Sequence, residues 1–214
     1  MAKKTTPAPA PAPATTPRRR RLDADRSVAA ILAAALEALA GDPDASMAEI
    51  ARRAGVVRAT IYVHFPTRES LLDAVMEKAV AEVAQAASEA EPQLGAPNEA
   101  LVRVLRATWR MLDRFQSLLT INTNRLSAQE LHRRHLPVLE HFAPLIERGQ
   151  AAGVFRSDLP VSWHLAVIRS LAHTASFELQ AGRLAEADAE AALLTTALAA
   201  VGQHGASGLP GIDT

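Results

Sequence analysis

Residues 46 to 70 read SMAEIARRAGVVRATIYVHFPTRES, and their spacing leaves few folds open. Ala51, Gly55 and Ile61 fall at the intervals of two short helices joined by a tight turn. Ala51 is small where the helices cross. Gly55 stands where the first helix ends and a positive φ is wanted. Ile61, with Ile50, Ala54 and Val56, supplies the apolar contacts that pin the second helix to the first. A second helix held this rigidly can lie in a DNA major groove, so the segment predicts a helix-turn-helix.

The rest of the chain is helical by pattern. Val28, Ile31, Leu32, Ala35 and Leu39 recur at helical spacing, and Gly41, Asp42 and Pro43 stop that helix. Ser46 is a good N-cap, and Glu49 three residues later completes a capping-box pattern. Pro66 ends the third helix. Thr67 caps a long fourth one with Leu71, Leu72, Val75, Val80 and Val83 on its apolar side. Breaks follow near Pro92 to Pro97, Asn122 to Ser127, Pro137, Gly149 to Pro160 and Ala181 to Leu184. The expectation is an all-α chain of about nine helices with no strand-type alternation. Residues 1–22 are expected to form a disordered Pro/Ala-rich basic arm, because alternating proline in TTPAPAPAPATTP forbids helix. Residues 23–66 form the helix-turn-helix domain, 67–203 a larger helical bundle and 204–214 a flexible tail.

Charge divides along the chain. Overall 23 basic residues balance 23 acidic ones. The first 21 residues carry Lys3, Lys4 and Arg18 to Arg21 with no acid, whereas from residue 81 onward 11 Lys and Arg face 14 Asp and Glu. One basic end on a mildly acidic body suits nucleic acid at that end only. With no cysteine, disulfides, thiolate metal sites and cysteine nucleophiles are excluded. No apolar run follows the basic N-terminus, and none reaches the roughly 20 residues of a membrane span. The expectation is a cytoplasmic protein.

Residues 26 to 83 resemble the DNA-binding domain of the TetR family of bacterial transcriptional regulators. The likeness is carried by SMAEIARRAGV, then RATIYVHFPTRESLLDAV, with Tyr62, His64-Phe65, Pro66-Thr67-Arg68-Glu69 and Leu71-Leu72. GVFRSDL at 153 to 159 resembles the loop before the last two helices of such proteins. The resemblance implies a homodimer on a near-palindromic double-stranded DNA operator, with a small-molecule inducer bound in the C-terminal bundle. It also implies dimerisation through the last two helices. Val57 departs from the Ser or Thr frequent at that position, and Val63 from a polar or basic residue.

On that basis the DNA-facing residues are Ser46, Val57, Arg58, Ala59, Thr60, Tyr62, His64, Thr67 and Arg68, with Arg20 and Arg21 in the arm. Arg58 can pair with guanine O6 and N7, or touch phosphate alone. Val57 and Ala59 suit thymine methyl groups. Thr60, Tyr62 and His64 suit phosphates, which fix register. Ser46 and Thr67 cap helices whose N-termini attract phosphate. Arg68 opposes its helix dipole, which points it toward a phosphate. Of Arg52 and Arg53, one is expected at the DNA backbone and the other in solvent. Phe65 belongs to the core.

A mostly apolar cavity with a few polar groups is the usual small-molecule site. Trp109, Phe115, Asn122, His135 and His173 are the candidate ligand set, each also explicable as core. Leu165, Ile168, Ala172, Ala175 and Leu179, with Leu193, Ala197 and Ala200, form stripes for either a dimer interface or the chain's own core. No HExxH or carboxylate ligand pattern predicts a metal, and no Walker, GxGxxG or GxSxG pattern predicts a cofactor. The rival readings are an enzyme in the helical bundle, supported only by its histidines, and a scaffold that binds another protein.

Overall fold

The computed structural model describes residues 17–115, 118, 121 and 125–203. These build an all-α fold of eight helices: α1 Pro17–Gly41, α2 Met47–Arg53, α3 Arg58–His64, α4 Arg68–Glu89, α5 Pro97–Arg114, α6 Ala128–Ala151, α7 Val161–Gln180 and α8 Glu186–Val201. No strand occurs among the described residues. One isolated antiparallel bridge joins Phe155 to Gly202 and ties the 153–159 segment to the end of α8.

Two boundaries differ from expectation. Helix α1 begins at Pro17, so Arg18 to Arg21 continue a helix instead of ending an extended arm. Proline suits a first helical turn and arginine is a good helix former, which outweighs the Pro/Ala tract before it. The second difference is Pro137. It was expected to divide two helices, but α6 runs through both Pro137 and Pro144. Each proline removes an i→i−4 hydrogen bond and costs about 3 kcal/mol in a free helix. Here Phe142, Leu145 and Ile146 are buried on the same helix, and tertiary packing carries it past the break.

The helix-turn-helix forms as its spacing predicts. Ile50, Ala51, Ile61 and Phe65 are buried with Ile31, Ala35, Leu39, Leu71, Leu72 and Val75 in one cluster. Ala54 and Val56 pack against its edge. Gly55 has φ +69°, which an L side chain adopts only at a cost. The same cluster takes in Phe115 and Leu118, so the core beneath the helix-turn-helix continues into the larger bundle. A second cluster joins Leu101, Val104, Leu105, Phe142, Leu145, Ile146, Phe155 and Val201. No helix of the described residues is long and apolar enough to cross a membrane.

Candidate functional site

The exposed face of α3 is the first element of the site. Ile61 is buried on its inner side, while Val57 and Val63 are 70% and 76% exposed and Arg58, Ala59 and Tyr62 also face outward. Thr60 and His64 are half-buried at the edges. The Arg58 guanidinium lies over the Tyr62 ring, 5.7 Å from its centroid. That cation–π contact holds the cation near the ring but leaves its donors outward. Val57 occupies the N-cap position of α3 and offers no side-chain hydrogen bond there, as expected of valine. The free N–H groups of this first turn therefore stay open to an outside acceptor.

Caps at either side frame α3. Ser46 Oγ accepts the Glu49 N–H at 3.2 Å. The other half of the expected capping box is absent, because the Glu49 carboxylate turns to Arg52 and Arg53 instead. Arg52 donates through Nη2 at 2.7 Å and Arg53 through Nε at 2.8 Å. The hydrogen bond from Arg52, then that from Arg53, pulls the Glu49 carboxyl down to about 2. Both arginines are thus partnered and exposed. Thr67 does form a reciprocal box: it accepts the Ser70 N–H at 3.1 Å, and Ser70 Oγ accepts the Thr67 N–H at 3.2 Å.

Arg68 has a structural task that its dipole-opposing position did not reveal. It donates to the Ala45 carbonyl, and through Nη2 to the Pro43 carbonyl at 2.8 Å. It therefore clamps the α1–α2 turn to the start of α4. Arg20 and Arg21 stand in the first turns of α1.

The second element is a cavity of about 110 Å³ between α4, α5, α6 and α7. Met76, Ala79, Val80 and Val83 of α4 form one wall, and Leu105, Phe142, Leu165 and Ile168 others. Phe115, His135 and His173 of the expected ligand set line it. Trp109 does not: it is buried against Ala172, Ala175, Ala189 and Leu193, and its indole N–H donates to Glu190 Oε2 at 3.1 Å. It is a core residue because its ring turns to α7 and α8, a choice that helical spacing alone leaves open. Asn122 lies outside the described residues. Sequence reasoning missed Thr108 and Arg169 in the lining. Arg169 stands one turn before His173 on α7, a signal available in the sequence but indistinguishable there from a solvated arginine. Among the described residues, no group of three metal-ligating side chains comes together.

The apolar stripes of α7 and α8 are settled by burial. Ile168, Ala172, Ala175, Leu193 and Ala197 are buried within the chain itself. The outer face of α7 carries Trp163 and Phe177, each 56% exposed, with Ser170 and Thr174 between them. On α8 the exposed residues include Ala191, Ala192, Thr195, Thr196 and Ala199. Of the two readings of the stripes, Ile168, Ala172, Ala175, Leu193 and Ala197 follow the core one, while Leu165, Leu179 and Ala200 are half-buried.

Residues 31–75, which contain the helix-turn-helix, match the family model described as bacterial regulatory proteins, tetR family. These residues are a TetR-family DNA-binding segment. One curated relative is the HTH-type transcriptional repressor NicS of Pseudomonas putida, 30% identical over 121 residues. That match covers 53% of this chain and 57% of NicS, so the chain spans little more than half the length of that relative. The fold is shared more widely. LfrR from Mycobacterium smegmatis, a TetR-like regulator solved with proflavine, superposes with a TM-score of 0.68 at 24% identity, covering 83% of this chain and 97% of LfrR. FadR from Bacillus subtilis, solved with stearoyl-CoA, gives a TM-score of 0.62 at 21% identity, covering 80% and 95%.

Proposed function

We propose that this chain is a ligand-responsive transcriptional repressor of the TetR family, acting in the cytoplasm, that binds a palindromic operator as a homodimer and is released by a small molecule. The observation that carries the reading is the placement of α4. It starts at the Thr67 cap beside α3 and its middle turns, from Met76 to Val83, wall the cavity. A molecule in the cavity touches the same helix that carries the DNA-facing unit.

In this reading residues 23–66 present α3 to the major groove and residues 67–203 hold the ligand and the dimer contact. Arg58 reads base edges. Val57 and Ala59 meet thymine methyl groups, and Thr60, Tyr62, His64, Ser46 and Thr67 anchor phosphates. Arg68 acts through the turn it clamps, with its remaining N–H donors turned to phosphate. Arg20 and Arg21 lie along the adjacent DNA backbone. The exposed α7 face with Trp163 and Phe177, together with the small residues of α8, supports a four-helix contact between two copies. Two recognition helices then sit about 34 Å apart, one DNA turn.

Release follows from geometry and linkage. Phe115 and Leu118 belong both to the core under the helix-turn-helix and to the cavity wall. An occupant that displaces them, or the α4 wall, changes the attitude of α3 and so the half-site spacing. Ligand and DNA then weaken each other's binding by the same factor. The repressor direction is supported by NicS, which carries that description.

The test is binding of the purified chain to the intergenic DNA beside its own gene, with the sedimentation state measured in parallel. A dimer that prefers an inverted repeat, and loses that preference when Arg58 and Tyr62 are both replaced, supports the reading. A monomer with no preference among duplexes overturns it.

A further inference from the structure

The polar lining of the cavity is one-sided. Every charged or titratable residue on it is basic: Arg169, His135 and His173. Thr108 is the other polar residue, and its hydroxyl donates to the Val104 carbonyl of its own helix at 2.8 Å. No Asp or Glu lines the space. Arg169 is half-buried and makes no hydrogen bond or ion pair among the described residues. Other arginines of the bundle are engaged: Arg134 with Asp73 and Glu130, Arg106 with Glu190, and Arg148 with two loop carbonyls.

The histidines add donors but not charge. His135 Nδ1 lies 2.6 Å from the Leu131 carbonyl, so Nδ1 carries the proton and donates. His173 Nδ1 is buried without a partner. Burial lowers both pKa values, that of His173 to about 4 with His135 and Arg169 adding to the effect. At neutral pH the guanidinium is then the fixed charge on the lining. A cation facing apolar walls without a counter-ion is costly. A ligand that brings the negative charge relieves that cost, and a planar carboxylate matches the guanidinium fork.

We propose that the cavity takes a small organic anion, a monocarboxylate with a compact apolar body, its carboxylate on Arg169 and its body against Met76, Val83, Leu105 and Phe142. The assignment rests on the reading of this cavity as the regulator's ligand site. Its size limits the body: at about 110 Å³ it is smaller than an engineered cavity of about 150 Å³ that admits benzene, so the body is at most a single ring or a short chain.

The experiment is calorimetric titration of the full chain at neutral pH with benzoate and hexanoate, and with benzyl alcohol and 1-hexanol as uncharged counterparts. Each carboxylate is expected to bind about tenfold or more tightly than its alcohol. Arg169→Gln brings the carboxylates down to the alcohol level and, because an uncompensated charge is removed, does not lower the thermal midpoint. Arg169→Lys restores part of the preference. A native chain that binds the alcohols as well as the acids, or an Arg169→Gln chain that keeps the preference, overturns the anion assignment and leaves the ligand-site reading intact. A chain that binds none of the four probes, although it binds its operator, overturns both.

Discussion

Arg134 of α6 donates to Asp73 of α4 at 3.0 Å, and Arg125 reaches the same carboxylate oxygen at 2.6 Å from the preceding segment. Desolvation pushes the Asp73 carboxyl up, but the hydrogen bond and charge of Arg125, with those of Arg134, hold it below its usual value. The contact lies within two turns of the Thr67 cap, where α4 leaves the helix-turn-helix. It fastens that part of α4 to the elements around the cavity. The Asp73 side chain is 37% exposed, so solvent screening keeps its energy modest. Asp73→Asn is expected to cost about 0.5–1 kcal/mol in urea denaturation. Its larger effect is expected in operator titrations with and without ligand, where the ligand's effect shrinks more than operator affinity itself.

The DNA-facing surface separates reading from positioning. Arg58→Ala is expected to weaken operator binding by about 1–3 kcal/mol and to relax preference at one base position. Tyr62→Phe keeps the ring beneath Arg58 and loses only the hydroxyl. It is expected to weaken binding by about 1 kcal/mol, equally for operator and scrambled duplex. Fluorescence anisotropy on both duplexes distinguishes the two outcomes.

Two glycines are constrained for opposite reasons. At Gly55 a Cβ meets nothing within 4 Å, but φ is +69°. Gly55→Ala is therefore expected to destabilise by about 1–2 kcal/mol through the backbone alone. Gly149 lies inside α6 with ordinary φ, where alanine normally stabilises a helix. A Cβ there would fall 2.0 Å from Cδ2 of the buried Phe155 ring. Gly149→Ala is expected to destabilise by about 2 kcal/mol or more, because the ring has nowhere to move. Urea midpoints of the two variants check both signs.

Acid stability should report His173. Its ordinary pKa is 6.5, and burial lowers it to about 4 in the folded chain. Above pH 6.5 it is neutral in both states and adds no pH dependence. As pH falls from 6.5 toward 4, the unfolded chain takes the proton first, so stability declines across that window. The loss approaches about 3 kcal/mol near pH 4, with His135 adding in the same direction. His173→Gln is expected to flatten the decline between pH 6.5 and 4.5, measured by urea midpoints. The carboxyls of Glu49, Glu130 and Asp158, held at about 2, act mainly at lower pH. An unchanged pH profile in the variant would count against burial of this imidazole.

What could be read along the chain was local. Ala51, Gly55 and Ile61 specify the helix-turn-helix because small size, positive φ and apolar spacing act within a few residues. Ser46 and Thr67 cap their helices for the same reason: a cap needs only the N–H groups of the next turn. The all-α class and the last two helices follow from periodicity, which is likewise short-range. Partners distant in sequence had to wait for the fold. Pro137 signals a break locally, yet burial of Phe142, Leu145 and Ile146 in the turns that follow keeps α6 continuous. Trp109 and Phe115 carry the same apolar label, yet Trp109 on α5 faces the α7–α8 core, whereas Phe115, just past the end of α5, lines the cavity. Arg68 and Arg169 look alike as charges; the first closes on carbonyls more than twenty residues away, and the second faces an apolar space. The sequence by itself determined the helices and the DNA-facing motif, since those depend on neighbours along the chain. Only the tertiary structure decided which side chains line the cavity, clamp the turn or face outward, since those depend on how helices rotate and pack.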